Sequence, residues 1–248
     1  MLKTLLILAI IIVILVGALF FFGGMGASAP DEMQNTAAIA TVTTPEPFTG
    51  SGDFMIATTT STLNWEGKKP LLPNDYTDKG LVGIKSGGVK TEKGLIQAGT
   101  IVIDLSTISV ASTGLGKGEE MLAKALKGAD FFDVAKYPTA ELAIATSTAA
   151  DAADPLSQTV SGTLAIKGIK NPISFPVRIT REGSGFTASA RVELDRTLWN
   201  LRYGSGKFFK NLGDNLIADT FAVSFEISAA PVSTSTISAS MTAPSVAH

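Results

Sequence analysis

The segment Ile217–Ala229 reads Ile-Ala-Asp-Thr-Phe-Ala-Val-Ser-Phe-Glu-Ile-Ser-Ala. Its large apolar side chains recur at every second residue, at Phe221, Val223, Phe225 and Ile227, and the positions between them are small or polar. Successive side chains of a β-strand point to opposite faces, so this alternation is typical of a strand with one buried and one solvated face. The segment therefore predicts an antiparallel strand that covers an apolar core.

The same alternation recurs along the chain, which indicates a whole sheet of such strands. The segments that show it are Thr100–Val110, Val160–Lys167, Ile173–Thr180 and Phe186–Leu194. Glycines and an Asn-Pro pair separate them, as turns between strands require. We predict an all-β fold of about eight antiparallel strands in an up-and-down barrel, because closure removes exposed edges and eight strands leave room for one ligand. A two-sheet sandwich has the same periodicity and stays open as an alternative.

One segment departs from the period of two. Gly118–Gly128 carries acidic residues at its start, lysines near its end and a final glycine, which together favour a short helix. The stretch that follows, Asp130–Ala140, reads Asp-Phe-Phe-Asp-Val-Ala-Lys-Tyr-Pro-Thr-Ala and joins this helix to the next strand. The adjacent Phe131 and Phe132 have two interpretations: they help to plug one end of the barrel, or they form the rim where a ligand enters.

The composition excludes most catalytic chemistry. The chain has no cysteine, and its single histidine is the terminal His248. Thiolate nucleophiles, imidazole triads and metal sites built from Cys or His are therefore excluded from the folded body. The formal net charge of −2 offers no basic excess for nucleic acid. We expect a non-enzymatic protein with no cofactor, no metal and no nucleic-acid partner. A hydrolase that uses a carboxylate pair such as Asp104 and Glu193 is the enzymatic alternative.

The chain begins with an apolar run that suits a membrane. Leu5–Phe22 contains 18 residues without a polar side chain, long enough for roughly 27 Å of helix. Lys3 before this run and acidic residues after it favour an extracytoplasmic body, either periplasmic or on the cell surface. We predict a transmembrane anchor or signal segment at residues 1–24, a flexible linker at 25–50, the barrel at 51–229 and a disordered tail at 230–248. Cleavage at Ala27-Ser28-Ala29 would instead give a secreted domain.

A series of short motifs, in order along the chain, resembles the YceI-like proteins of the bacterial envelope. The motifs are Trp65–Lys68, Ile84–Gly88, Ile103–Ile108, Asp130–Ala140, Gly162–Gly168, Leu194–Trp199 and Tyr203–Gly206. The resemblance implies a lipocalin-like barrel whose apolar tunnel holds a lipid or polyisoprenoid. The chain departs from the family at Asp78 and Ala125, where members often carry histidine, so a head-group contact made by either histidine is absent here.

The candidate ligand-binding residues follow from the inward faces of the strands and from the aromatic residues near their ends. They are Trp65, Phe131, Phe132, Leu164, Ile166, Phe175, Val177, Phe186, Val192, Trp199, Tyr203, Phe221, Val223 and Phe225. Each could instead fill a solid core, since small barrels are often packed with side chains. The expected partners are an isoprenoid or other lipid ligand and the cytoplasmic membrane, with the oligomeric state left open. A ligand-free structural or adhesion domain on the cell surface is the alternative function.

Overall fold

The computed structural model describes residues 44–72, 76–151 and 153–232. These residues form nine β-strands, one α-helix and two short 3₁₀ helices. The strands are β1 Gly52–Ile56, β2 Thr62–Lys68, β3 Thr77–Glu92, β4 Leu95–Ser112, β5 Thr139–Asp151, β6 Asp154–Ile166, β7 Ile169–Glu182, β8 Gly185–Asp195 and β9 Thr220–Pro231. The α-helix α1 spans Glu119–Lys127, and the 3₁₀ helices span Arg196–Trp199 and Gly213–Asn215.

The nine strands occupy eight positions in a closed antiparallel barrel. Strands β2 to β9 follow one another around the ring in the order β3-β2-β9-β8-β7-β6-β5-β4, and the pairing of β3 with β4 closes it. The short β1 pairs with the same two neighbours as β2, namely β3 and β9, so β1 and β2 share one position end to end. The predicted barrel is confirmed, and the sandwich alternative is excluded because the sheet has no edge strand.

Tight turns connect most neighbouring strands. Lys93-Gly94 joins β3 to β4, and Lys167-Gly168 joins β6 to β7; all four residues have positive φ, between 50° and 80°. A two-residue turn in which both residues have positive φ matches the right-handed twist of the two strands of a hairpin. The predicted helix is also confirmed: Glu119 and Glu120 lie in the first turn of α1, and Lys124 and Lys127 in its last.

The two ends of the barrel differ. At the plugged end, which holds the β3–β4, β5–β6 and β7–β8 turns, the rings of Phe48, Phe54 and Phe186 pack against one another with centroids 4.8–5.5 Å apart. Buried Gln158 also donates to the Gly94 carbonyl there, at 2.9 Å. At the opposite end, which we call the helix end, α1 and the long connection from β8 to β9 extend beyond the strands. One end is thus filled by aromatic side chains, and the other is covered by irregular structure.

The described body extends beyond the predicted barrel on both sides. Phe48, within the predicted linker, is buried, and the Glu46 carbonyl accepts a 2.8 Å hydrogen bond from the Arg181 amide. Strand β9 begins at Thr220 rather than Ile217 and continues to Pro231, into the predicted tail. The anchor, most of the linker and the tail from residue 233 lie outside the described residues. Among the residues that are described, no helix has the length and apolar content to span a bilayer.

Candidate functional site

The barrel interior encloses a cavity of about 260 Å³. A volume of roughly 10–15 Å³ is enough for one water molecule, so this space is large for a protein interior. Every strand contributes to its lining. The cavity extends from Phe186 near the plugged end to Leu122, Leu126, Phe131 and Phe132 at the helix end.

The lining is apolar except at the helix end. The polar lining residues are Lys68, Lys69, Asp78, Arg196 and Thr220, which all lie where β2, β3, β8 and β9 approach that end. Two of them, Lys68 and Thr220, are exposed to solvent. The cavity therefore opens at the helix end, between the β2–β3 connection and the segment that precedes β9. Such a space is suited to an extended hydrocarbon chain with a polar group at the mouth.

Twelve of the fourteen predicted ligand-binding residues line this cavity. They are Trp65, Phe131, Phe132, Leu164, Ile166, Phe175, Val177, Phe186, Val192, Phe221, Val223 and Phe225. The two phenylalanines after α1 face the cavity near its mouth, and Phe132 also packs against the core cluster at the helix end. The structure brings these side chains together around one space, and their role in ligand binding stays a prediction.

Trp199 and Tyr203 lie outside the cavity lining. Trp199 is only 1% exposed and packs in the core at the helix end, with Nε1 donating to the Leu164 carbonyl at 2.9 Å. Tyr203 is half exposed, and its ring contacts the Phe131 ring in a tilted arrangement, with the centroids 5.3 Å apart. Neither of these two candidate ligand-binding side chains forms part of the cavity wall. The 3₁₀ helix after β8 turns Trp199 into the core and leaves Tyr203 on the surface.

Trp199→Phe is expected to lower stability and leave ligand affinity unchanged. The Leu164 carbonyl would lose its donor in a buried site, at a cost of about 1–3 kcal/mol, which corresponds to a fall in Tm of roughly 2–12 °C for a domain of this size. Thermal unfolding measures this, with Tyr203→Phe as the control because Tyr203 is half exposed. Weaker ligand binding by Trp199→Phe at an unchanged Tm would return Trp199 to the binding site.

Asp195 and Arg196 have a structural role. Asp195 Oδ1 accepts hydrogen bonds from the Thr197 amide at 2.9 Å and the Thr197 hydroxyl at 2.6 Å, which caps the first 3₁₀ helix. The buried Arg196 guanidinium donates to the carbonyls of Ala218 at 2.8 Å, Ile217 at 3.1 Å and Leu201. These bonds join both ends of the β8–β9 connection, so the pair stabilises the end of β8.

Among the described residues that line the cavity, Asp78 is the one carboxylate. The Oδ1 atom of Asp78 accepts a 3.1 Å hydrogen bond from the Gly114 amide. Nearby, the Lys69 ammonium lies over the ring of Tyr76, 5.7 Å from the ring centroid. Burial raises the pKa of Asp78 above its ordinary value, against the opposing effect of the Gly114 hydrogen bond and the Lys69 charge. The mouth of the cavity thus holds a hydrogen-bonding carboxyl group that is costly to ionise.

Asp78→Asn is expected to remove a loss of folding stability that the wild-type protein undergoes as pH rises through the pKa of Asp78. Because the pKa of Asp78 is higher in the folded state, the folded protein binds more protons and loses stability as pH rises through that pKa. An amide keeps an acceptor for Gly114 and removes this loss. The measurement is the free energy of unfolding from pH 3 to 7 by denaturant titration.

Asp195→Asn provides a contrast of opposite sign. The pKa of Asp195 is lowered, since the hydrogen bonds from Lys207 and Thr197 outweigh the effect of burial. Its contribution to stability is present above the ordinary aspartate pKa and is lost as pH falls. If Asp78→Asn and Asp195→Asn change the profile in the same direction, the environment assigned to Asp78 is wrong.

The predicted site omitted much of the wall formed by β3, β4 and β5. The omitted lining residues include Val82, Val89, Ile96, Ile101, Ile103, Leu105, Ile108, Leu142 and Ile144. The alternation is less regular there because β3 carries several glycines and its pairing with β4 shifts register at four places. Each shift changes which residues face inward, and a period of two cannot be followed through it. Ile101, Ile103 and Leu105 in Thr100–Val110 were the available signal.

The carboxylate-pair alternative has no geometric basis. Asp104 lies on β4 and Glu193 on β8, which are on opposite sides of the eight-position ring. Asp104 Oδ1 is engaged by the amide and hydroxyl of Ser106. Within residues 44–72, 76–151 and 153–232, no three His, Cys, Asp or Glu side chains are close enough to hold a metal ion.

Similar proteins share this barrel. BcnA from Burkholderia cenocepacia superposes with a TM-score of 0.54 at 21% identity, over 71% of this chain and 99% of that one. A polyisoprenoid binding domain from Saccharophagus degradans superposes with a TM-score of 0.53 at 18% identity, over 72% of this chain and 98% of that one. No curated protein matches the chain significantly. The family model for the YceI-like domain matches residues 48–229. This range runs from the buried Phe48 to the buried Ala229 near the end of β9, and it includes nearly all of the barrel. The chain therefore belongs to the YceI-like domain family.

Proposed function

We propose that the barrel binds an isoprenoid or another long-chain lipid in its interior and does not transform it. The observation that carries this proposal is the continuous apolar cavity, with polar groups only at its open end. The similar domain from Saccharophagus degradans is described as polyisoprenoid binding, which supports the same class of ligand here. Family members are binding domains, and the part of the cavity lining that the structure describes holds a single carboxylate, Asp78.

Hydrocarbon burial can supply the affinity. Each buried methylene contributes about 0.8 kcal/mol, so ten of them give roughly 8 kcal/mol before the costs of association. The wall deep in the barrel is apolar, so the buried part of the ligand should be an uncharged hydrocarbon chain. A polar head group would lie beside Lys68, Lys69 and Asp78 at the mouth.

We further propose that the domain works at the outer face of the cytoplasmic membrane, held there by the N-terminal segment. The apolar run Leu5–Phe22 supports an anchor, and the shift in composition after it supports a linker. Removal of the segment would release the same barrel as a secreted carrier.

Extraction of the purified protein with organic solvent, followed by mass spectrometry, tests the proposed function. We expect a co-purified lipid with a long apolar chain, present at no more than one per barrel. A fluorescent isoprenoid should bind saturably to the delipidated protein and be displaced by the extracted lipid. If no lipid is recovered and the fluorescent isoprenoid does not bind, the alternative of a ligand-free surface domain is favoured.

A further inference from the structure

Large apolar side chains are exposed along one stretch of the helix end. Leu198 is 54% exposed, Tyr203 51%, Phe208 43% and Phe209 49%, and all four lie in the connection from β8 to β9. Single exposed apolar residues are normal on soluble domains, whereas four in twelve residues of one connection are not. We call the segment Arg202–Lys210 the aromatic loop. It lies at the end of the barrel where the cavity opens.

The fold holds the aromatic loop in place. Ser205 is fully buried, and its carbonyl accepts hydrogen bonds from the amides of Phe208 at 3.1 Å and Phe209 at 3.0 Å. Gly204, with φ of 64°, supplies the turn and accepts a 2.8 Å bond from the Ile217 amide. The two phenylalanines therefore project from a hydrogen-bonded turn, and their exposure is a consequence of the fold.

The aromatic loop is also locally cationic. Arg202, Lys207 and Lys210 lie within it, and it contains no acidic residue. Lys207 pairs with Asp195 at 2.7 Å and lies 3.8 Å from Asp219, so the excess positive charge of the loop comes from Arg202 and Lys210. The Arg202 guanidinium stacks over the Phe208 ring at 4.4 Å from its centroid. Aromatic and aliphatic side chains mixed with Lys and Arg are the composition that lies stably in the interface of an anionic bilayer.

An aromatic path leads from this loop to the cavity. The ring of Tyr203 contacts Phe131 at 5.3 Å, and Phe131 lines the cavity near its mouth. A groove formed by Ala129, Asp130, Lys167, Asn200, Arg202, Tyr203 and Phe209 runs beside this contact. The described chain begins and ends at the plugged end, where Glu46 bonds to Arg181 and Val232 bonds to Asp53. Neither end of the described chain covers the aromatic loop.

We propose that the aromatic loop docks on an anionic lipid bilayer, so that the mouth of the cavity faces the membrane from which the ligand is taken. This inference rests on the proposed lipid-binding function. A bilayer fits the surface better than a protein partner does, because the exposed rings and the cations alternate along one projecting turn, and the groove beside it is partly polar, with Asp130, Lys167 and Asn200 in its lining. The bilayer is also the store of the apolar ligand that the cavity is shaped to hold.

A single fluorescent label tests the docking. Because the chain has no cysteine, Phe209→Cys and Ser184→Cys each give one site for an environment-sensitive fluorophore, at the aromatic loop and at the plugged end. The full chain is reconstituted into phosphatidylcholine vesicles with or without phosphatidylglycerol. We expect blue-shifted emission at position 209 in the anionic vesicles, reversed in about 1 M salt where screening is strong, and none at position 184. Phe208→Cys replaces Phe209→Cys if the latter does not fold.

A transfer experiment supplies the second measurement. Phe208→Ser with Phe209→Ser is expected to slow the transfer of a fluorescent isoprenoid from anionic vesicles to the protein by about tenfold, since docking depends on buried apolar area, with unchanged binding capacity at equilibrium. Leu81→Ser, which removes an apolar side chain exposed on the barrel wall, is the matched control and should transfer at the normal rate.

Several outcomes would overturn the docking proposal. One is an unshifted label at position 209 in a protein that still binds the isoprenoid, which leaves the proposed function intact. A blue shift of the emission at position 209 that appears without vesicles and grows with protein concentration indicates that a second copy of the chain covers the loop. A blue shift that requires added membrane proteins indicates a protein partner. Either result excludes the bilayer as the occupant. If the unlabelled wild-type protein does not bind the isoprenoid, the result contradicts the proposed function itself.

Discussion

Val192→Trp is expected to weaken binding of a fluorescent isoprenoid by about 100-fold, because the indole displaces about four methylene groups worth roughly 3 kcal/mol. Val192 lies in the middle of β8, lines the cavity and is only partly buried by protein. An indole there can extend into empty space, so the strain of overpacking should be small. The measurement is a titration of the delipidated protein, with circular dichroism to confirm the fold.

The control for this variant is Glu193→Trp on the same strand. Glu193 faces solvent, so its replacement adds the same ring to the outside of the barrel and should leave the affinity unchanged. Normal affinity in a well-folded Val192→Trp protein would show that the ligand does not occupy the barrel interior. Equal loss in both variants would indicate a general effect of tryptophan on β8.

Arg196→Met is expected to cause the largest loss of stability among the substitutions considered. It removes the donor to the carbonyls of Ala218, Ile217 and Leu201 and leaves Asp219 without the nearby guanidinium, which lies 3.8 Å away. Breaking a buried charged network by removal of one member costs about 3–5 kcal/mol, which lowers Tm by roughly 10 °C in a domain of this length. Thermal unfolding by circular dichroism measures it.

Lys207→Met is the matched control for Arg196→Met. Lys207 pairs with Asp195 at 2.7 Å, but its side chain is half exposed, and such a pair contributes about 1 kcal/mol or less. Arg196→Lys should behave almost like Arg196→Met, because an ammonium cannot reach three carbonyls that a planar guanidinium spans. A Tm for Arg196→Met within 2 °C of wild type would mean that the β8–β9 connection is held by other contacts.

The strands and their faces were predictable because the alternation of side chains is a local property. Phe175, Val177, Phe186 and Val223 were placed on the inward face from their spacing alone, and all four line the cavity. The helix at Glu119–Lys127 was equally local, since its charges and glycines mark its two ends. The ordered motifs between Trp65 and Gly206 indicated the family, which the match over residues 48–229 shows.

Other features depended on contacts between distant segments. Phe48 is a lone aromatic in a segment rich in threonine and proline, and it is buried only because Phe54 and Phe186 meet it at the plugged end. Trp199 is a candidate ligand-binding residue from its position near a strand end, but it is buried in the core, and the carbonyl that accepts its Nε1 hydrogen bond belongs to Leu164, 35 residues away. Neither partnership leaves a periodic trace in the sequence.

The amino-acid order alone thus indicated antiparallel strands with an apolar inner face, since each strand reveals its own two faces, and left the closed barrel and the two-sheet sandwich as alternatives. Whether that inner face surrounds a hollow or a filled core is a different matter, because it depends on how far side chains from opposite walls reach toward one another. The three-dimensional arrangement leaves about 260 Å³ between them and opens this space at the helix end, between the β2–β3 connection and the segment that precedes β9. Both properties arise from the closure of the ring, in which residues far apart in sequence become neighbours.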